Sequence, residues 1–281
     1  MNKLNIQVVD FHSPEVSVEF THSLRETGFA VIKNHSINME VVNDIYKEWE
    51  QFFQSELKHN YIFNKDTQDG YFPFGIEHAK NYSNKDLKEF FHLYPWGQYP
   101  SELSFKTKEL YQDLCAFAET LLIWVEKNTP HSIKHLFSIP LKEMVYNSPR
   151  NLLRIIHYPP LRETDSPDEV RAAQHEDINL LTILCSSTAP GLQAQDLEGN
   201  WHDVPCDPGM IAVNTGDMLQ MASNGYYPST SHRVVNPQVG LEKTSRMSMP
   251  LFLHPHDDVQ LSASYTAGSY LNKRLEEIGL I

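Results

Sequence analysis

Apolar positions recur at helical spacing through much of the first 150 residues, and short β-prone runs dominate the rest. Ile6–Phe11 predicts a short strand. Ser13-Pro14-Glu15 predicts a helix start, with Ser as the cap and Pro at the first position. That helix should run to about Thr27 and end at Gly28. Phe29–Lys33 predicts a second strand, followed by a turn at Asn34-His35. Within Asn38–Leu57, Val41, Val42, Ile45, Trp49, Phe52 and Phe53 share one helical face. From Lys58 to Gly75 the pattern breaks, and a loop is expected. Its aromatics, Tyr71, Phe72 and Phe74, either pack as satellite core or wall a pocket. Lys88–Tyr94 is a short apolar run, Lys106–Asn128 a strong amphipathic helix, and Ser132–Tyr146 a shorter helical piece.

At Asn151 the character changes. Short β-prone runs cover Leu152–Tyr158, Leu180–Cys185, Leu192–Ala194, Asn200–Val204, Met210–Asn214, Met218–Ala222, His232–Val235 and Arg246–Leu253. Gly, Pro, Asn and Asp separate them, and Asn224-Gly225 is a tight-turn dipeptide. Eight such runs suggest a sandwich or barrel, and the jelly roll is the eight-stranded solution. Pro159–Arg171 reads as an exposed loop and Gly268–Gly279 as a final helix. The expected class is α+β: residues 1–150 form an N-terminal region packed on a core of residues 151–281, the two as one integrated unit.

Composition narrows the partners. The 281 residues carry 23 basic and 36 acidic side chains, a formal charge of −13, which argues against a nucleic-acid backbone or an anionic membrane surface. A small anion held by local arginines stays compatible with it. Cys115, Cys185 and Cys206 fit no disulfide framework or zinc pattern, so free thiols in a reducing, cytoplasmic setting are expected. The N-terminus has no signal-peptide run, and no stretch reaches the ~18–20 apolar residues of a membrane span.

The stretch that carries chemistry is Gln174–Cys185, QHEDINLLTILC. In an extended chain His175 and Asp177 share one face, and Glu176 points away. An imidazole beside a carboxylate can bind a metal or share a proton. His232, in STSHRVV, opens a later strand and supplies a distant second imidazole. Two His and one carboxylate are the composition of the facial triad of non-haem iron(II), which leaves coordination positions open and avoids the thiolates that select zinc. On the last strand Arg246 and Ser248 face one side, a guanidinium fork with a hydroxyl suited to a carboxylate. Arg154, Ile156 and Tyr158 share a face of the Leu152–Tyr158 strand. The Tyr158 phenol can add a hydrogen bond to the same acid. Arg154 is a candidate for an anionic group on a substrate or for a structural pair with a barrel acid. Ile156 and Phe252 are further candidates for the pocket wall.

The residues HEDINLLTIL, SHRVVNP, RMS and HYPP together resemble the iron(II)/2-oxoglutarate oxygenases, and more narrowly the branch that contains isopenicillin N synthase and the plant flavonoid and gibberellin oxidases. The likeness spans nearly the whole chain, from VVDF and GFAVIKNH to the YLNKRLEEIGL ending, which is similar to bacterial members. It implies a double-stranded β-helix (jelly-roll) core. It implies iron(II) on His175, Asp177 and His232, and 2-oxoglutarate on Arg246, Ser248 and Tyr158, with dioxygen as the second cosubstrate. The reaction implied is hydroxylation, desaturation or cyclisation of a small molecule, with release of succinate and carbon dioxide. Two departures stand out. Ile156 occupies a position where many plant members have Asn, and the segment between His232 and Arg246 is somewhat long. Two other readings stay open: an iron oxidase that uses no 2-oxoglutarate, and a jelly-roll protein that binds a metal or small acid without turnover.

Rival clusters are weaker. His254-Pro255-His256-Asp257-Asp258 is rich in ligands but reads as a turn. His131 and His135 share a helical face without the Glu of a zinc-protease motif. Asn81-Tyr82-Ser83 matches a glycosylation acceptor but lacks a secretory context. Gly-rich phosphate loops and a G-x-S-x-G elbow are absent.

Overall fold

The computed structural model of the chain describes residues 4–76, 86–163, 165 and 169–277. The Asn81-Tyr82-Ser83 match and the end of the expected last helix lie outside them. The chain opens with β1 (Val8–Asp10) and α1 (Val16–Thr27). Ser13 makes a turn rather than the cap: its Oγ accepts from the Glu15 amide and its carbonyl from the Val16 amide, and the helix follows. Gly28 ends α1 with φ 71, its amide returning to the Leu24 carbonyl. Next come β2 (Phe29–Lys33) and α2 (Met39–Gln54), whose first amides donate to the Asn38 side chain. Trp49, Phe52 and Phe53 bury the inner face of α2.

The expected loop from Lys58 to Gly75 contains structure. A 3-10 turn (Glu56–Tyr61) leads to β3 (Gly70–Phe72), which pairs antiparallel with β4 (Glu89–Leu93). Helix α3 (Lys106–Asn128) has the expected bounds. The piece after it is two short helices, α4 (His131–Lys134) and α5 (Leu141–Val145), with Pro140 at the start of the second. Proline fits there because an amide at that point has no helical partner.

The second half supplies β5 (Leu152–Tyr158), β6 (Ala172–His175), β7 (Leu181–Cys185), β8 (Leu192–Gln195), β9 (Trp201–Asp203) and β10 (Ile211–Thr215). Helix α6 (Asp217–Ala222) follows, then β11 (His232–Val234), β12 (Arg246–Ser248), β13 (Pro250–Leu253) and α7 (Ala267–Glu277). Met218–Ala222 is therefore a helix and not a strand. Met218, Leu219 and Ala222 are its buried residues, a helical spacing that a short apolar run conceals. Conversely, Ala172–His175 is a strand. The expected last run is interrupted at Met249, because Pro250 has no amide for the ladder.

Two sheets form the barrel. The larger has the order β1-β2-β10-β7-β13-β5-β4-β3, with β12 also on β5; the smaller has the order β6-β11-β8-β9. Strands from the first 150 residues thus extend the same sheet that carries β5, β7, β10 and β13. Alternation divides the faces. Leu153, Ile155, Ile183, Val213, Met247, Leu251 and Leu253 turn outward onto α1, α2 and α3 in the main core. Ile156 and Tyr158 turn inward with Phe72, Phe90, Ala172 and Val234. The N-terminal helices therefore seal one face of the large sheet, and its other face is left for chemistry. No helix among the described residues is long and apolar enough to cross a membrane.

Behind β5, buried Glu89 accepts from Tyr71 Oη at 2.5 Å, His157 Nδ1 at 2.8 Å and Lys58 Nζ at 3.0 Å. Burial pushes its carboxyl up, but the three donors, His157 foremost, outweigh this and hold it below the usual range. Glu89→Ala would leave the buried Tyr71 phenol and His157 ring without their acceptor, and the half-buried Lys58 ammonium with only the Phe53 carbonyl. It should cost about 3–5 kcal/mol of stability, read as a lower midpoint in urea unfolding.

Candidate active site

His175 ends β6, and His232 opens β11 directly opposite it. Their rings lie 4.4 Å apart between centroids. Asp177 sits just past β6 and not on a strand, yet its side chain reaches the same point. Its Oδ1 is 3.9 Å from His175 Nε2 and 3.6 Å from His232 Nε2. One ligand atom from each residue lies within 4.8 Å of the others, a spacing that can hold a metal ion. Among the described residues this is the one cluster of three or more His, Cys, Asp or Glu that does so.

The surroundings fix each ligand atom. His175 Nδ1 faces the Ala173 carbonyl at 2.7 Å, and His232 Nδ1 faces the Thr230 carbonyl at 3.1 Å. A carbonyl can only accept, so each ring carries its proton on Nδ1 and presents a lone pair on Nε2. The other Asp177 oxygen accepts from Thr182 Oγ1 on β7 at 2.5 Å and Asn214 Nδ2 on β10 at 2.8 Å, which leaves Oδ1 for the metal. Burial first, and then the neighbouring His232 ring, hold the His175 pKa below its ordinary value, which favours the neutral imidazole that a metal needs. The Asp177 carboxyl is pushed up by burial, but the two imidazoles and the two donors bring it below the usual range. Two neutral nitrogens and one carboxylate, with no thiolate, suit iron(II).

Helix α6 braces this loop. The amides of Asp217 and Met218 donate to the carbonyls of Asp177 and Asn179, and that of Gly216 to Leu180. Any Cβ at Gly216 would collide with the Asn179 carbonyl, so glycine alone permits the approach. Glu176 turns away, as the alternation requires, and accepts from the Ser231 hydroxyl.

The carboxylate fork stands on β12 and β5. Arg246 is 1% exposed and pairs across these strands with Tyr158, its guanidinium 5.0 Å from the phenol ring. Its Nε donates to the Ala189 carbonyl at 2.9 Å and one Nη to Ser187 Oγ at 2.7 Å. The other Nη is buried with no partner. An unanswered donor on a buried cation is costly, and a ligand carboxylate is the natural acceptor. Ser248 Oγ lies 3.3 Å from Ser187 Oγ and shares the inward face. Arg246, Ser248 and Tyr158 thus converge.

The candidate substrate residues divide. Arg154 and Ile156 face the barrel interior, and Phe252 reaches the Arg154 guanidinium at 5.5 Å. Arg154 also lies 4.5 Å from the Phe90 ring, and its Nε donates to His92 Nε2 at 2.9 Å. Phe72 is inside, stacked between Phe63 and Phe90. Tyr71, one residue away on β3, faces the outer core and Glu89. Phe74 lies against the Arg162 guanidinium at 4.5 Å. Tyr71 and Phe74 are thus not gathered with the others, because alternation on β3 and the chain's exit from it turn them elsewhere. In the HPHDD turn, His256 Nε2 bonds the Tyr146 carbonyl and Asp257 pairs with Arg150. His254 is buried, and burial pulls its pKa down to about 4.

Four neighbours of the site lie outside the candidates drawn from the sequence: Ser187, His92, Lys88 and Arg171. Ser187 meets Arg246, and His92 faces Arg154 across β4–β5. The Lys88 ammonium pairs with Asp86 at 2.8 Å, and its charge is felt at His175. His92 and Lys88 alone carry a signal, the inward alternation they share with Phe90 in the KEFFHLY run.

Comparison with known proteins agrees. Residues 149–255 match the 2OG-Fe(II) oxygenase superfamily, and residues 6–113 match the N-terminal region described as non-haem dioxygenase in morphine synthesis. Gibberellin 2-beta-dioxygenase 3 of Arabidopsis thaliana is 28% identical over 262 residues, which cover 89% of this chain and 75% of that one. The structure of a candidate oxygenase from Shewanella oneidensis superposes with a TM-score of 0.90 at 48% identity, covering 99% of this chain and 100% of the other. A full-length Neurospora crassa protein solved in complex with alpha-KG shares the fold, with a TM-score of 0.80 at 21% identity over 96% of this chain and 95% of that one. With likeness at this level running from end to end, the chain belongs to the 2OG-Fe(II) oxygenase superfamily and is a non-haem dioxygenase of the isopenicillin N synthase-like type, using iron(II), 2-oxoglutarate and dioxygen.

Proposed function

We propose that His175, Asp177 and His232 hold the iron, that Arg246, Ser248 and Tyr158 hold the far carboxylate of 2-oxoglutarate, and that the substrate is a small molecule with an anionic group near Arg154. The observation that carries this reading is the convergence of three lone pairs on one point, beside a buried guanidinium with an unanswered donor. Iron(II), when bound, supplies the activation of dioxygen that turns 2-oxoglutarate into succinate and carbon dioxide and oxidises a C–H bond of the substrate. The chain contributes position and dryness. Thr182 and Asn214 keep Asp177 oriented, the backbone carbonyls keep both imidazoles in the right tautomer, and the Phe72–Phe90 stack excludes water beside Tyr158. Gibberellin dioxygenases and flavonol synthases among the relatives support a small-molecule substrate. The free cysteines Cys115, Cys185 and Cys206 suit a reducing cytoplasm.

Arg154 sets the substrate class. It lies on the inward face of β5, two and four residues before Ile156 and Tyr158, with its guanidinium between Phe90 and Phe252. Succinate formation, screened over small carboxylates, phosphates and their neutral analogues, tests the reading: the anionic compounds should trigger turnover and the neutral ones should not. In Arg154→Ala, kcat/KM for the native substrate should fall about a hundredfold, with iron and 2-oxoglutarate affinity kept. Normal turnover by that variant, or equal use of neutral analogues, would rule out the anionic substrate.

A further inference from the structure

Arg171 is a second buried guanidinium beside Tyr158. It precedes β6, four residues before His175, and is 1% exposed. Its guanidinium lies 5.9 Å from the same Tyr158 ring that Arg246 approaches at 5.0 Å. Its Nη2 donates to the Thr244 carbonyl at 2.6 Å, its main-chain amide donates to Asn236 Oδ1 at 3.1 Å, and its Nε is buried with no partner. No carboxylate pairs with Arg171 or Arg246 among the described residues. Burial first, and then the charge of Arg246, pull its pKa down to about 10, so it stays a cation at neutral pH.

Two like charges against one ring, both out of water and each with an open donor, make a strongly positive pocket that no carboxylate among the described residues answers. A buried cation is tolerated when an anion meets it. We infer that Arg171 is a second guanidinium of the cosubstrate pocket, sharing the far carboxylate of 2-oxoglutarate with Arg246 across Tyr158 and making the pocket select 2-oxo acids with a full negative charge at that end. The inference rests on the placement of 2-oxoglutarate proposed above and adds a selectivity element to it. A purely structural alternative is at hand: the bond to Thr244 could serve only to tie the segment before β12.

Calorimetric titration of the iron-loaded protein under nitrogen separates the two. The probes are 2-oxoglutarate and 2-oxopentanoate, which has the same keto acid end and a methyl group at the other. Wild type should prefer 2-oxoglutarate strongly. Arg171→Met should weaken 2-oxoglutarate binding about tenfold or more and leave 2-oxopentanoate binding unchanged, and Arg171→Lys should restore most of the loss. Equal weakening of both probes would assign Arg171 a structural role, and no weakening of either would remove it from the pocket. Arg246→Met gives an independent check if Arg171→Met does not fold: with Arg171 in place a residual preference for 2-oxoglutarate should survive, and its complete loss would overturn the inference. A wild-type protein that did not bind 2-oxoglutarate would instead overturn the reading beneath it.

Discussion

Alanine at His175, Asp177 or His232 should abolish turnover and weaken iron(II) binding by more than about a hundredfold, since even a hydrogen-bond partner of a metal ligand is worth 10–100-fold. Each variant removes one of three lone pairs that meet at a single point. The barrel should survive, because these side chains lie at strand ends and in a loop, away from the main core on the helix side. Asp177→Ala should have the largest effect on metal binding. It removes the one anionic ligand and leaves the Thr182 and Asn214 donors facing a void. Thr182→Val should give a milder loss, because the Asp177 carboxylate would keep one of its two orienting bonds. His256→Ala should do little, as that ring bonds the Tyr146 carbonyl in the exposed turn. Iron content after anaerobic loading, read beside far-ultraviolet circular dichroism, checks all of these. Iron kept by His232→Ala and lost by His256→Ala would refute the assignment.

Arg246→Ala should raise the apparent KM for 2-oxoglutarate by an amount corresponding to roughly 2–5 kcal/mol. The guanidinium is held from behind by the Ala189 carbonyl and Ser187, so its open Nη is already aimed before the cosubstrate arrives. Little ordering is left to do on binding, and most of the interaction appears as affinity. Arg246→Lys keeps the charge but cannot reproduce the fork, and it should fall between wild type and alanine. Initial rates of succinate formation at varied 2-oxoglutarate give these values. An unchanged apparent KM for 2-oxoglutarate in Arg246→Ala would refute the assignment of Arg246 to its far carboxylate.

How much can be read before folding depends on the range of the signal. Helix α3 appears with its expected bounds because a long run of apolar positions at one spacing has no competing reading. Met218–Ala222 reads as a strand and folds as a helix, because so short an apolar run satisfies two periods at once. Its contacts decide it: the amides of Asp217 and Met218 find acceptors at Asp177 and Asn179, which draws the segment into a helix. Ala172–His175 gives no strand signal of its own, since two alanines have little β preference, and only its pairing with β11 makes it a strand.

At the site the division is the same. Arg154, Ile156 and Tyr158 share one face, Arg246 and Ser248 share another, and Glu176 turns away from His175. All three follow from the covalent geometry of an extended chain and are legible in the bare order of residues. Other meetings arise only on folding: His232 stands opposite His175, Thr182 and Asn214 converge on Asp177, and Arg171 and Arg246 crowd one phenol. Those meetings depend on strand order and register, which are set by burying one face of each strand against distant parts of the chain. A window of neighbouring residues holds no record of them.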